Sequence, residues 1–224
     1  MDNFLFVALP YLAIVMFFGG TIYRALRGHW VWSARGDYQW TTRSTGFFGR
    51  ASIGPAVLSL HWGIIILFVA HIVGFVGGAY NLPGWVDFFR WVGLFGGVLF
   101  LYGVLWALIR RIYIPQLRAM SNADDYISLG FLLIVVGLGL YQSAVQQIFG
   151  ISSPVGLWLG SILKLQPDAQ LMAGVPFISK LHITIALLFF IYIPFSKLVH
   201  VASYPFNYIV RPFISMRTYR GLKN

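Results

Sequence analysis

The chain has 224 residues, 58% of them hydrophobic and only 10% charged, against about 25% charged in a soluble globular domain. Its charged side chains are too few to coat a water-facing surface, so a soluble fold is excluded and most of the exterior must meet lipid or other subunits. Cysteine is absent, which excludes disulfides, thiolate chemistry, cysteine-ligated iron-sulfur clusters and covalently attached haem.

A hydrocarbon core of about 30 Å needs roughly 20 apolar residues per helix. Five stretches meet that length in chain order: Phe4 to Tyr23, Pro55 to Gly78, Phe88 to Ile109, Tyr126 to Phe149 and Ile178 to Ala202. Only Asp2 precedes the first as a charge, with no positive leader and no small-residue cleavage pattern, so it is expected to be a retained helix rather than a signal peptide. The fourth and fifth stretches are joined by the loop Gly150 to Ser179, whose Leu157 to Leu165 segment suits a short amphipathic helix at the interface. With no internal repeat or low-complexity linker, residues 1–224 are expected to form a single all-α integral membrane bundle of five transmembrane helices.

The formal net charge of +10 would suggest nucleic acid in a soluble protein, but here topology accounts for it and no nucleic-acid partner is expected. Thirteen of the sixteen basic residues fall on one side: Arg24, Arg27, Arg35, Arg43 and Arg50, then Arg110, Arg111 and Arg118, then Lys197, Arg211, Arg217, Arg220 and Lys223. Arg90, Lys164 and Lys180 fall on the other. The positive-inside rule then puts the N-terminus outside and the C-terminus inside a multi-pass protein of the cell (cytoplasmic) membrane.

Four of the five histidines lie within two of the spans: His61 and His71 in the second, His182 and His200 in the fifth, with His29 in the first inner loop. A single histidine at such depth is most often a core residue satisfied by a nearby hydroxyl or carbonyl, but four of them require a joint explanation. The two spans run antiparallel, so depth pairs His61 with His200 near the inner face and His71 with His182 near the outer face. Ten residues rise about 15 Å and eighteen about 27 Å, and eighteen residues are five turns, which would put His182 and His200 on one helix face. Zinc is the competing ligation, yet it usually gathers four ligands with cysteine or carboxylate among them, and the sequence has no glutamate at all. Two pairs of axial imidazoles suit two non-covalent b-type haems better. Gly63, Gly74, Gly93, Gly96, Gly97, Gly137 and Gly139 would let a flat macrocycle approach, or equally let helices pack closely. Arg50, Arg110, Arg111 and Lys197 are placed to receive propionates at the inner site, or to be solvated inner-face residues.

The segments LHWGIIILFVAHIVGF (Leu60 to Phe75) and KLHITIALLFFIYIPFSKLVHVASYPFNYIVR (Lys180 to Arg211) resemble the gamma subunit, a dihaem cytochrome b, of membrane-bound respiratory nitrate reductase. The Arg24, Gly28, Trp32 pattern after the first span and IRRIYIPQLRA (Ile109 to Ala119) after the third extend the resemblance along the chain. It implies a subunit that oxidises quinol from the quinone pool near an outer haem iron held by His71 and His182. Electrons would pass through an inner haem held by His61 and His200 to an iron-sulfur beta subunit and a molybdenum-pterin alpha subunit.

The family's quinol site commonly has a lysine at the outer start of the third span. The nearest cation here is Arg90, beside Phe88, Phe89 and Trp91, and these four are the candidate quinol-site residues; an interfacial aromatic belt with an anchoring arginine accounts for them equally well. Two other functional classes stand beside this one: a related dihaem subunit of a sulfur-cycle or heterodisulfide-reductase-like complex, and a haem-free membrane anchor.

Overall fold

The computed structural model describes residues 2–26, 50–149, 154–199 and 201, and the regular structure among them is entirely helical. Five segments are long and apolar enough to cross a membrane: Phe4–Arg24, Gly54–Ala79, Pro83–Tyr113, Ala123–Ile148 and Phe177–Phe195. They are carried by α1 (Leu9–Leu26, after a π-helical turn at Phe4–Ala8), α2 (Arg50–Ala79), α3 (Pro83–Tyr113), α5 (Ala123–Ile148) and α7 (Phe177–Tyr192). Two short helices, α4 (Pro115–Met120) and α6 (Val155–Leu163), lie in the connections.

Local chemistry sets the boundaries. Asn81 takes the left-handed conformation (φ 55°) that closes α2, with the Leu82 N–H donating to the Gly77 carbonyl at 2.8 Å. Pro83 then opens α3 where a missing N–H costs nothing, so this helix starts five residues before the expected Phe88 and includes Trp85 and Asp87. At the other end Ile114, extended because it precedes Pro115, stops α3. Asn122 starts α5 by accepting the Asp125 N–H while the Asp125 carboxylate accepts the Asn122 N–H, a reciprocal cap. Arg110, Arg111, Arg118 and Lys197 gather near this end of the bundle, which we call the basic end.

α2 and α3 pack along small residues. The buried positions of α2 recur every seven residues, at Ala56, Gly63, Ala70 and Gly77. A Cβ on Gly63 would lie 2.5 Å from the Phe100 backbone nitrogen, and one on Gly103 2.5 Å from the Leu60 Cβ. Lipid gives apolar helices no hydrophobic reason to associate, so such close backbone approach supplies the contact energy. Gly63, Gly96 and Gly103 therefore serve helix packing. α5 packs on α3 and α7, and α1 on α7. The α6 helix folds back onto the bundle: Trp158 and Ile162 are buried with Phe6, Met172 and Val175, and the Trp158 Nε1–H donates to the Phe6 carbonyl at 2.8 Å.

The fifth span departs from the expectation of an unbroken helix to Ala202. α7 ends at Tyr192, and 3₁₀ turns at Ile193–Phe195 and Lys197–Val199 are separated by Ser196 in extended conformation (φ −110°, ψ 175°). The cause is Pro194, which has no N–H to bond the Phe190 carbonyl and whose ring crowds that carbonyl. An unbroken α-helical register from His182 therefore runs only as far as Tyr192, and His200 lies outside the described residues.

Candidate functional site

His61 and His71 project from α2, and each ring Nδ1 donates to the carbonyl four residues back, Val57 and Leu67, at 2.7 Å in both cases. His182 projects from α7, and its Nδ1 donates across to the Val135 carbonyl of α5 at 3.0 Å. A carbonyl oxygen only accepts, so in all three rings Nδ1 carries a proton, and in the neutral form of such a ring the lone pair sits on Nε2. That is the tautomer of a metal-ligating imidazole held by a second-sphere hydrogen bond. Gly139, one turn beyond Val135, makes the His182 contact possible: a Cβ there would stand 3.1 Å from His182 Cε1.

The His71 and His182 ring centres lie 6.4 Å apart with their planes 25° from parallel. Two imidazoles brought this close from α2 and α7 would be placed to hold one metal-bearing group between them. Among the described residues no group of three or more His, Asp or Glu side chains could hold a metal ion. Two imidazoles with no third such ligand among the described residues would suit a group that brings its own remaining ligands better than a structural zinc.

His200, expected to pair with His61, lies outside the described residues, as does His29. Arg50 is the first residue of α2, and Arg110 is buried in α3 at 4% exposure. Arg111 and Lys197 both pair with Asp125, at 3.2 and 2.8 Å. Neighbouring Asp124 accepts the Tyr192 hydroxyl and the Lys197 backbone N–H. Sequence reasoning missed this acidic pair, although the Asn-x-x-Asp cap at Asn122 was a readable signal.

Phe88, Phe89, Arg90 and Trp91 are successive positions of α3, which fan out by about 100° each. Phe89 packs toward Trp85 and Gly74 and edge-on against Phe88, their ring centres 5.2 Å apart, and Phe88 is 62% exposed. Arg90 donates to Asp87 at 2.9 Å and to the Gln147 side-chain oxygen of α5 at 3.2 Å. Trp91 lines an apolar hollow of about 260 Å³ with Leu94, Ala144, Gln147 and Ile148. Gln147 thus joins Arg90 and Trp91 on the α3/α5 side, a partner that lies too far along the chain to be read from the sequence.

Comparison with known proteins follows the same lines. Residues 2–219 match the family model for the nitrate reductase gamma subunit. The chain is 28% identical to the nitrate reductase gamma chain of Bacillus subtilis (strain 168), covering 93% of this chain and 95% of that protein. It is 29% identical to the respiratory nitrate reductase 1 gamma chain of Escherichia coli (strain K12), covering 97% of each. A more distant similarity, 24% over 66% of this chain and 46% of the other, is to an Hdr-like menaquinol oxidoreductase cytochrome b-like subunit of Archaeoglobus profundus.

Proposed function

The chain belongs to the nitrate reductase gamma subunit family, and from that premise we propose that this membrane subunit of a respiratory nitrate reductase draws electrons from quinol and holds two non-covalent b-type haems. The observation that carries the reading is the His71/His182 pair, with ring centres 6.4 Å apart and the Nδ1 of each ring bonded to a backbone carbonyl. When bound, haem supplies one-electron redox centres between a quinol donor and the catalytic subunits. His71 and His182 would hold one group, and His61 with His200 the other, nearer the basic end. The Leu67 and Val135 carbonyls orient the first two rings and increase the basicity of Nε2.

The positive-inside rule supports an N-terminus outside and a basic end inside. His71 and His182 then lie toward the outer face. Quinol oxidation there would release two protons outside, with the partner subunits, an iron-sulfur protein and a molybdenum-pterin protein, on the basic side. The hollow beside Trp91 offers an apolar wall for a quinone ring, and Arg90 and Gln147 at its edge provide hydrogen-bonding groups for a ring oxygen. Phe88 and Phe89 flank this region on other faces of α3. The heterodisulfide-reductase-like reading is weaker, because that relative matches less of the chain.

A reduced-minus-oxidised spectrum of the purified complex with pyridine-haemochrome quantification tests the cofactor, and two b haems per chain are expected. Arg90→Ala is expected to slow quinol-driven haem reduction at least tenfold while leaving dithionite-reducible haem unchanged. Normal quinol-driven reduction in both Arg90→Ala and His182→Ala would place the quinol site elsewhere. Gly139→Val is expected to press the His182 ring off the Val135 carbonyl and lower the content of one haem selectively, measured by potentiometric titration.

A further inference from the structure

α5 and α7 run antiparallel and meet in three polar rungs. The Gln146 Nε2–H donates to the Ser179 Oγ at 3.1 Å, the His182 Nδ1 donates to the Val135 carbonyl at 3.0 Å, and the Tyr192 hydroxyl donates to Asp124. The first of these joins two side chains at the end opposite the basic one. Ser179 is 2% exposed and stands in the first turn of α7, where the N–H groups have no carbonyl of their own helix to bond and the helix is prone to fray. The N-cap position is Pro176, whose ring cannot accept a hydrogen bond from these groups. His182 follows Ser179 by three residues, about 4.5 Å along the axis and on the same face of the helix. A first turn of α7 that drifts against α5 therefore carries the His182 ring with it.

We propose that Gln146 and Ser179 are positioning residues for His182: their bond fixes the rotation of the first turn of α7 against α5, and so holds the ring Nδ1 on the Val135 carbonyl and the ring plane at 25° to that of His71. The proposal rests on the reading of His182 as an axial haem ligand. Neither residue is required to touch the haem. Side-chain hydrogen bonds between membrane helices are individually weak, so what this one supplies is direction. Gly139 faces the ring without a side chain to brace it, and the tilt of the ring then follows the helix that carries it. A longer reach from Nδ1 to the Val135 carbonyl weakens the second-sphere bond that supports Nε2 as a donor. A weaker donor favours the reduced metal and raises its potential. His61 is tied to its own helix through the Val57 carbonyl and is not governed by this bond.

The test uses the purified complex and compares Ser179→Ala, Gln146→Leu, the double variant and His182→Ala. The potential of each haem is read by potentiometric titration, and the axial geometry by low-temperature electron paramagnetic resonance. His182→Ala is expected to abolish one haem signal and so to identify it. Ser179→Ala and Gln146→Leu are each expected to shift the potential of that haem upward, giving a several-fold larger reduced-to-oxidised ratio at a fixed potential, and to alter its low-spin signature, while the other haem keeps its own. Either substitution removes the same bond, so the double variant is expected to shift no further than a single one. The absence of an upward shift in either single variant, equal shifts or losses of both haems, or shifts that add in the double variant overturns the positioning role while leaving His182 as a ligand. Retention of both haems in His182→Ala overturns the ligand reading itself, and the positioning role with it.

Discussion

His71→Ala and His182→Ala are each expected to lower haem content from two per chain to one, and both should remove the same haem. Their rings lie 6.4 Å apart, and no third His, Asp or Glu among the described residues completes a metal site with them, so neither loss can be covered by a neighbour. Residues that share one ligand act as a unit, and their effects are not additive. The double variant should therefore lose no more haem than either single one. His61→Ala, ten residues away on α2, should remove the other haem and spare this one. Pyridine-haemochrome quantification gives the number lost, and potentiometric titration identifies which. Loss of different haems in His71→Ala and His182→Ala would dismantle the pairing.

Features carried by composition and by residue type at helical depth were legible in the sequence. The five spans follow from runs of apolar residues, and four histidines stand out against lipid-compatible neighbours. Pro194 stands inside the expected fifth span, where the membrane context tolerates a proline when neighbours satisfy the freed carbonyls. Arg24 performs that task by donating to the Pro194 carbonyl at 2.6 Å, which depends on α1 packing against α7, 170 residues away in the chain. Gly139 was noted only as one of several small residues. Its contact with His182 depends on how α5 faces α7, which spacing along one helix cannot give. The seven-residue recurrence of Ala56, Gly63, Ala70 and Gly77 was fully present in the sequence, and counting small residues at that period would have identified the α2/α3 seam. Arg90 was read as a donor for substrate, whereas its bonds to Asp87 and Gln147 show that it also ties α3 to α5.

Asp125→Ala is expected to be the most destabilising substitution at the basic end. The Asp125 side chain is 4% exposed and stands between Arg111, 3.2 Å away, and Lys197, 2.8 Å away, which are themselves only 15% and 16% exposed. Removing the carboxylate leaves two cations facing each other without their shared anion, and breaking a buried pair in this way costs about 3–5 kcal/mol. The reciprocal cap loses half of its bonding as well: Asn122 can still accept the backbone N–H at position 125, but its own N–H loses the carboxylate 3.1 Å away. Lys197→Met should cost less, because Arg111 and Asp125 then remain a matched pair. Combining it with Asp125→Ala should recover part of the loss by removing one of the stranded charges. For a chain of this length the loss in Asp125→Ala corresponds to a fall in Tm of about 6–20 °C. Thermal unfolding of the detergent-solubilised complex, followed by loss of the Soret band, measures it. A Tm within about 2 °C of wild type for Asp125→Ala would mean that the two cations find other anions there, and that the network around Asp125 does not hold the end of the fifth span against α5.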